Sequence, residues 1–388
     1  MKETILRVSL NNYREMKKLI IVISIYFLGM IQANCQNIYK KIVIDSETHK
    51  PISDVHVFSL DHYKTGTITN ENGIFILNLE KNDSIFISHI SYYPLKQLVD
   101  NLKSDTIKLK RRTAELNEIT VLSTSGKEIL NKVISSLSFN HSIEPIVYNV
   151  YLRIIESEKD YSELHILSEY VMNIYQNKNH NSEFQILKVR AKPFSKAGKK
   201  YFKDMRMMHA IDVNGDNIFK YKEDILKRNK LKNFNIKITD EFKHGQNRFI
   251  ELKCIPKKGT TYKNINLLID SSSFGIKKIT KYYTEDEYKE IEFKEVDGKW
   301  YLQHSKRKIY SSFFNRWKQD SKSVLIREVI YNIDNSNYES SLYKKAFNLI
   351  AEPIKPHLGD WSDKYWENYN YIPLPEWISL RLNEQNSR

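Results

Sequence analysis

Ser125-Gly-Lys-Glu-Ile-Leu-Asn-Lys-Val-Ile-Ser-Ser-Leu137 and, a few residues on, Pro145-Ile-Val-Tyr-Asn-Val-Tyr-Leu-Arg-Ile-Ile155 hold the change of period that decides the larger part of this fold. In the first stretch Ser125 and Glu128 have the Ser-x-x-Glu spacing of a capping box. Ile129, Leu130, Val133, Ile134 and Leu137 then share one helical face. This predicts a helix over 127–139 that docks on a sheet. After Pro145 the period becomes two: Tyr148, Val150, Leu152 and Ile154 alternate with Asn149, Tyr151, Arg153 and Ile155. Strand patterns recur at 164–175, 184–189, 234–238, 249–254, 262–269, 276–283, 288–296, 300–309 and 324–333, with a less regular, mostly helical stretch over 201–230. One sheet of that many antiparallel strands must curl or close. The expectation for 126–388 is therefore an α+β domain whose curled antiparallel sheet presents a concave, apolar-lined face around the helix. That helix, the 201–230 segment, the aromatic tail or a ligand would fill the face.

Upstream, 37–112 reads as a separate unit that folds alone, joined by a connector over 113–125. Its strands are short and broken by turn residues: Ile42 and Ile44 alternate with Lys41, Val43 and Asp45, and Val55, Val57 and Ser59 alternate with His56 and Phe58. In Ile74–Leu79 both faces are largely apolar, which predicts a strand buried on both sides. Asn70-Glu71-Asn72-Gly73 is a turn in which Gly73 takes positive φ. Strands every 8–12 residues or so indicate a β-sandwich.

Several motifs here occur in a familiar order. Lys41-Ile-Val-Ile-Asp45, Pro51-Ile-Ser-Asp-Val55-His-Val57, Thr67-Ile-Thr69-Asn-Glu-Asn-Gly73 and Asp83-Ser-Ile-Phe-Ile-Ser88-His-Ile90-Ser-Tyr92 resemble the carboxypeptidase-regulatory-like domain, with Ser91 in place of a usual glycine. Leu116-Asn-Glu-Ile-Thr-Val121 resembles the segment that follows this module in Gram-negative outer-membrane receptors. The resemblance implies a prealbumin-like sandwich of about seven strands, a cell-envelope setting and no active site. Ile265-Asn-Leu-Leu-Ile-Asp270 with Phe274-Gly-Ile-Lys-Lys-Ile279 is similar to a hairpin of lipoprotein-carrier-like half-barrels. Asn131–Asn140 with Pro145–Arg153 is similar to the start of the second domain in uncharacterised envelope proteins.

Met16-Lys17-Lys18, the apolar run Leu19–Ile31, and small residues at Ala33 and Cys35 read as a signal peptide over 1–35, cut before Gln36, with the start at Met1 or Met16. Cys35 also invites a lipid anchor, although Asn34 and Gln32 fit a lipobox poorly. Behind it only Cys254 remains, so no internal disulfide forms. The whole chain has 388 residues and a net charge of +14, and its 41% apolar and 12% aromatic content excludes wholesale disorder. The basic segments Lys108–Arg112, Lys192–Lys203 and Lys306–Lys308 read as solvated faces or contacts for lipid head groups or glycans rather than nucleic acid. The tail, with Trp361, Tyr365, Trp366, Tyr369, Tyr371 and Trp377, reads as a terminal element packed over a core, with a docking patch as the alternative.

Two constellations tempt a chemical reading. His141-Ser-Ile-Glu144 has zinc-carboxypeptidase spacing with His244 downstream, but Pro145 starts a strand and no surrounding motif matches. Asp212, Asn214, Asp216 and Glu223 match calcium-loop positions, yet Asn217 stands where glycine is needed and Gly215 is misplaced, so a solvated turn is expected. No catalytic, cofactor-binding or metal residue is assigned. The expected role is a non-enzymatic, exported envelope protein that binds or scaffolds at the outer membrane or in the periplasm. The alternatives are a periplasmic carrier of an apolar ligand and, behind it, a zinc carboxypeptidase-type hydrolase.

Overall fold

Eighteen strands and three α-helices are found among the residues that a computed structural model describes, which are 37–60, 66–80, 82–112, 124–203, 212–220, 222–244, 247–311 and 323–334. Of the C-terminal part it describes 338–345, 348–349, 352–354, 358–359, 364–366 and 372–386. The signal-peptide segment, most of the connector, and Trp361, Tyr369 and Tyr371 lie outside the described residues.

The described residues of the N-terminal unit form seven strands: β1 (Asn37–Asp45), β2 (His56–Ser59), β3 (Gly66–Ile68), β4 (Ile74–Leu79), β5 (Ser84–Ser88), β6 (Leu95–Leu98) and β7 (Thr106–Leu109). They form two sheets, β4-β1-β7 and β3-β2-β5-β6, with β1 and β7 parallel. Val43, Val55, Val57, Phe75, Leu77, Leu79, Ile85, Ile87 and Leu109 make the core between them. Asn70 Oδ1 accepts from the N–H groups of Asn72 and Ile74, and Gly73 sits at φ 70°. A Cβ at Gly73 would lie 2.5 Å from the Val43 carbonyl, so this turn demands glycine. β4 is buried on one side only: Phe75, Leu77 and Leu79 face the core while Ile74, Ile76 and Asn78 stay half-exposed. The expected two-sided burial fails because a two-sheet sandwich covers only the inner face of each sheet.

The larger sheet follows the order β11-β12-β13-β14-β15-β16-β17-β8-β9-β10-β18 and is antiparallel throughout. Its strands are β8 (Ile146–Glu158), β9 (Leu164–Gln176), β10 (Ser182–Pro193), β11 (Phe234–His244), β12 (Asn247–Pro256), β13 (Asn264–Asp270), β14 (Ile276–Tyr282), β15 (Tyr288–Val296), β16 (Lys299–Ser311), β17 (Ser323–Asp334) and β18 (Lys344–Lys345). One edge is thus a two-residue strand of lysines, and such short, charged edges resist pairing with other chains.

Helix α1 (Gly126–Asn140) starts at the expected capping box: Glu128 N–H donates to Ser125 Oγ at 3.3 Å and Ser125 N–H to Glu128 Oε2 at 2.7 Å. It touches both β11 and β16, far apart in sheet order, which the curl brings to one concave side. Ile129, Leu130, Val133 and Leu137 are buried there, with Ile134 partly so. At its C-terminal end Asn140 Nδ2 donates to the Ser273 carbonyl at 2.5 Å in the β13–β14 turn. Asp270 Oδ1 organises that turn by accepting from the backbone N–H and hydroxyl of both Ser272 and Ser273.

The described residues of the 201–230 stretch are helical only in short pieces. After α2 (Lys196–Lys203), the described residues form short 3-10 turns at Asp212–Asp216, Asp224–Leu226 and Arg228–Asn233. Val213, Ile218, Ile225, Leu226 and Leu231 from this stretch join Leu349, Ile354 and α1 in the apolar core on the concave face. A third helix, α3 (Glu376–Asn386), ends the described chain. Its Ile378 and Leu382 pack against Ile155, Leu164 and Leu167 on the other, convex face, where Trp366 and Ile372 also meet Tyr151, Val171 and Ile330. The described aromatic residues of the tail therefore pack over the sheet.

Candidate functional site

The convex face carries a row of ionisable side chains. Cross-strand registers align Lys278 (β14) with Glu292 (β15), Glu292 with His304 (β16), and Glu290 with Lys306. The row continues from Lys306 to Glu328 (β17), to Arg153 (β8), to Glu169 (β9) and to Arg190 (β10). Lys278 Nζ lies 2.7 Å from Glu290 and 3.1 Å from Glu292. Lys306 Nζ lies 3.3 Å from Glu328, and Arg153 Nε donates to Glu169 at 2.8 Å, with Arg190 on that carboxylate's other oxygen. Strands whose outward row is charged would ordinarily face water.

Here the row is roofed. The β3-β2-β5-β6 sheet of the N-terminal unit covers one part: Asp54 lies 3.2 Å from Lys306, His56 Nε2 sits 2.6 Å from Glu292 Oε2, and Ser88 Oγ is 3.2 Å from His244 Nε2. The C-terminal tail covers the other part, where the Ile372 and Pro373 carbonyls accept from the Arg153 guanidinium. Two cavities flank the Asp54–Lys306 contact. One, of about 260 Å3, is walled by His56, Ser88, His89, His244, Lys278 and Glu292. The other, of about 320 Å3, is walled by Asn70, Glu71, Arg153, Tyr161, Glu328 and Trp377. The solvated lysine face expected at 306–308 is thus partly an interior contact: Lys306 is half-buried under the sandwich.

Burial decides the protonation states. It pushes the Glu292 carboxyl upward, but Lys278 and His56 overcome it and hold the group well below the usual carboxylate range. Burial pushes Glu169 up as well, and Arg190 and Arg153 bring it below its ordinary value. His304, 1% exposed, is pushed down to about 4 by burial, and His89 likewise to about 4. Both imidazoles are therefore neutral at neutral pH.

The two sequence constellations serve other ends. His141 is buried, its Nε2 accepts from the Ile276 N–H at 3.2 Å, and its ring packs edge-on against Phe293; Glu144 is exposed. His244 borders the sandwich, and burial pushes it down to about 4. Among the described residues, the acidic and histidine groups whose ligand atoms converge are His56–Glu292–His304 and Glu158–Glu163–His165, and neither contains His141, Glu144 or His244. The Asp212–Asp216 turn is not solvated as expected. Asp216 is fully buried on the concave face and receives Arg327 at 2.8 Å, Tyr331 OH at 2.7 Å, Ser305 Oγ at 2.5 Å and Lys289 at 3.1 Å. Asn214 Oδ1 accepts from Ser182, Asn217 Oδ1 accepts from the N–H groups of Phe219 and Lys220, and Glu223 pairs with Lys281. These side chains are consumed by a structural ion-pair hub.

No family model matches the chain, and no curated protein does. The carboxypeptidase-regulatory-like resemblance of the N-terminal unit finds no support in these comparisons. Among solved structures the chain is similar to a LolA superfamily protein from Nitrosomonas europaea, at 11% identity over 58% of this chain and 100% of that one, with a TM-score of 0.23. A putative outer-membrane lipoprotein-sorting protein domain from Vibrio parahaemolyticus matches at 9% identity, 56% and 97% coverage and a TM-score of 0.26. The MucA/MucB complex of Pseudomonas aeruginosa matches at 6% identity, 54% and 94% coverage and a TM-score of 0.16.

Proposed function

We propose that this protein is a non-enzymatic binding scaffold of the Gram-negative envelope, exported to the periplasm or the periplasmic face of the outer membrane. One observation carries the reading. Both faces of the large sheet are occupied by the chain's own segments, α1 and the 212–233 turns on one side and the sandwich and tail on the other. A carrier of an apolar ligand needs a concave apolar cavity, and here the concave row meets Leu130, Val133, Ile225 and Leu226 instead. The two convex-face cavities are lined by charged and polar groups, which suits contact with polar surfaces or small polar ligands better than acyl chains. The basic signal-like start and the net charge of +14 support an exported protein working beside anionic envelope lipids or glycans.

A fluorescent fatty-acid probe titrated into the purified full chain tests this. The expected result is no saturable binding. Saturable binding at a single site, displaced by envelope lipids, would establish the carrier instead. Export is checked by N-terminal sequencing of envelope material, where Gln36 is the expected first residue.

A further inference from the structure

We propose that His56, Glu292 and His304 bind a divalent transition-metal ion of the zinc class, which clamps the sandwich to the large sheet. Each residue offers a ligand atom, and these atoms lie within 4.8 Å of one another. All three side chains are buried. Ligands about 2.1 Å from a tetrahedral ion stand roughly 3.4 Å apart. The ion would thus widen the 2.6 Å contact of His56 Nε2 and Glu292 Oε2 by roughly 0.8 Å, taking the place of the shared proton, and draw His304 inward.

The second observation concerns His304 itself. Neither of its ring nitrogens has a hydrogen-bond partner among the described residues, although the residue is 1% exposed. A buried imidazole left in that state is costly, and a ligand bond relieves it. Its orientation is also built. The β15–β16 register shifts between Glu292 and Phe293, so that Leu302 pairs with Phe293 and His304 with Glu292, leaving Gln303 as the extra residue. Such a bulge re-aims side chains. Without it His304 would share the concave face with Leu302; with it, His304 stands on the convex face directly opposite Glu292 and beneath His56, its ring 5.8 Å from the His56 ring.

The donor set selects the ion. Two imidazoles and one carboxylate suit zinc, cobalt or nickel, whereas calcium and magnesium require oxygen-rich shells. Lys278 already neutralises Glu292 Oε1, which further disfavours an ion held by charge alone and leaves Oε2 as the ligating atom. His56 and Glu292 border the 260 Å3 cavity, from which a water molecule can complete the shell. The other convergent group is a weaker candidate. His165 Nδ1 is engaged by Ser195 Oγ at 2.9 Å, and the Glu163 side chain is 49% exposed.

The test uses tag-free full chain, stripped with a chelator and titrated with zinc against a competing indicator. A single ion per chain is expected, with a melting temperature that rises on loading. His304→Asn should keep the circular-dichroism spectrum, lose at least about 10–100-fold in affinity and abolish the melting shift. His165→Asn should bind like the parent. Absence of saturable binding, or equal binding by His304→Asn, overturns the proposal. Should His304→Asn not fold, the visible spectrum of the cobalt-loaded parent decides. An intense four-coordinate spectrum supports the site and a weak, aqua-like octahedral one overturns it.

Discussion

On the concave face of the large sheet, Ile129, Leu130, Val133 and Leu137 of α1 meet aliphatic rows from nearly every strand; on the convex face, Lys278, Glu292, Lys306, Glu328, Arg153 and Glu169 meet one another. The first face works by area. Four aliphatic side chains at about 1.5–3 kcal/mol each contribute about 6–12 kcal/mol from the helix alone. The second face works by complementarity, because buried ion pairs gain little over apolar replacements but lose much when one partner is removed. Stability is therefore concentrated on one side and positional specificity on the other. A greasy convex face would let the sandwich slide, whereas Asp54 on Lys306 and His56 on Glu292 admit one seating.

The contrast can be broken at graded strengths. Leu137→Asp places a charge in the concave core and should abolish the cooperative thermal transition of the large domain, read by circular dichroism; a folded variant would show the helix to be dispensable. Glu169→Gln leaves the Arg153 and Arg190 guanidinium groups without their carboxylate, so urea unfolding should show a loss of about 3–5 kcal/mol. A loss under about 1 kcal/mol would make the charged row incidental. Glu169 has a lowered folded pKa, so the stability it contributes is present above the ordinary carboxylate range and disappears as pH falls through its folded value.

Glu156, on the inner row of β8, has the opposite sign: burial pushes it up to about 7. Its ionisation in the folded state is unfavourable, so it weakens the fold as pH rises from about 4.5 through 7. Glu156→Gln should accordingly gain roughly 3 kcal/mol at pH 8 and almost nothing at pH 4. Equal gains at both pH values would assign the effect to packing instead. Ser125→Ala removes the capping box and should cost about 1 kcal/mol, detectable as a small shift in the urea midpoint.

The concave face was legible in the sequence because area leaves a periodic mark. The five-residue helical face and the Tyr148–Ile154 alternation identify the docking helix and one strand of the sheet it docks on. The convex face was not. Arg153, Glu169, Glu292, His304 and Lys306 carry the pattern of water-facing residues, and nothing local distinguishes a solvated row from one roofed by a segment about two hundred residues away. The bulge at Gln303 adds a second obstacle: by simple alternation His304 belongs with Leu302, and only the shifted register separates them. The Asp212–Asp216 turn failed for a related reason. Its polar residues are buried by partners from β10, β15, β16 and β17 that no spacing rule connects.

The seam between β8 and β17 has a consequence for how the chain reaches this state. β8 is the first strand of the large sheet and β17 nearly the last, yet they pair along their whole length, from Val147 with Asp334 to Glu158 with Ser323. The meander β11 to β17 and the block β8 to β10 can each zip up from local hairpins, but joining them demands closure of a very long loop, the kind of step that slows folding most. Until it happens, two apolar strand edges stand open and the Lys306–Glu328–Arg153 landing strip does not exist. The sandwich, made before the large sheet, has nothing to sit on until β17 has followed β8 out of the ribosome.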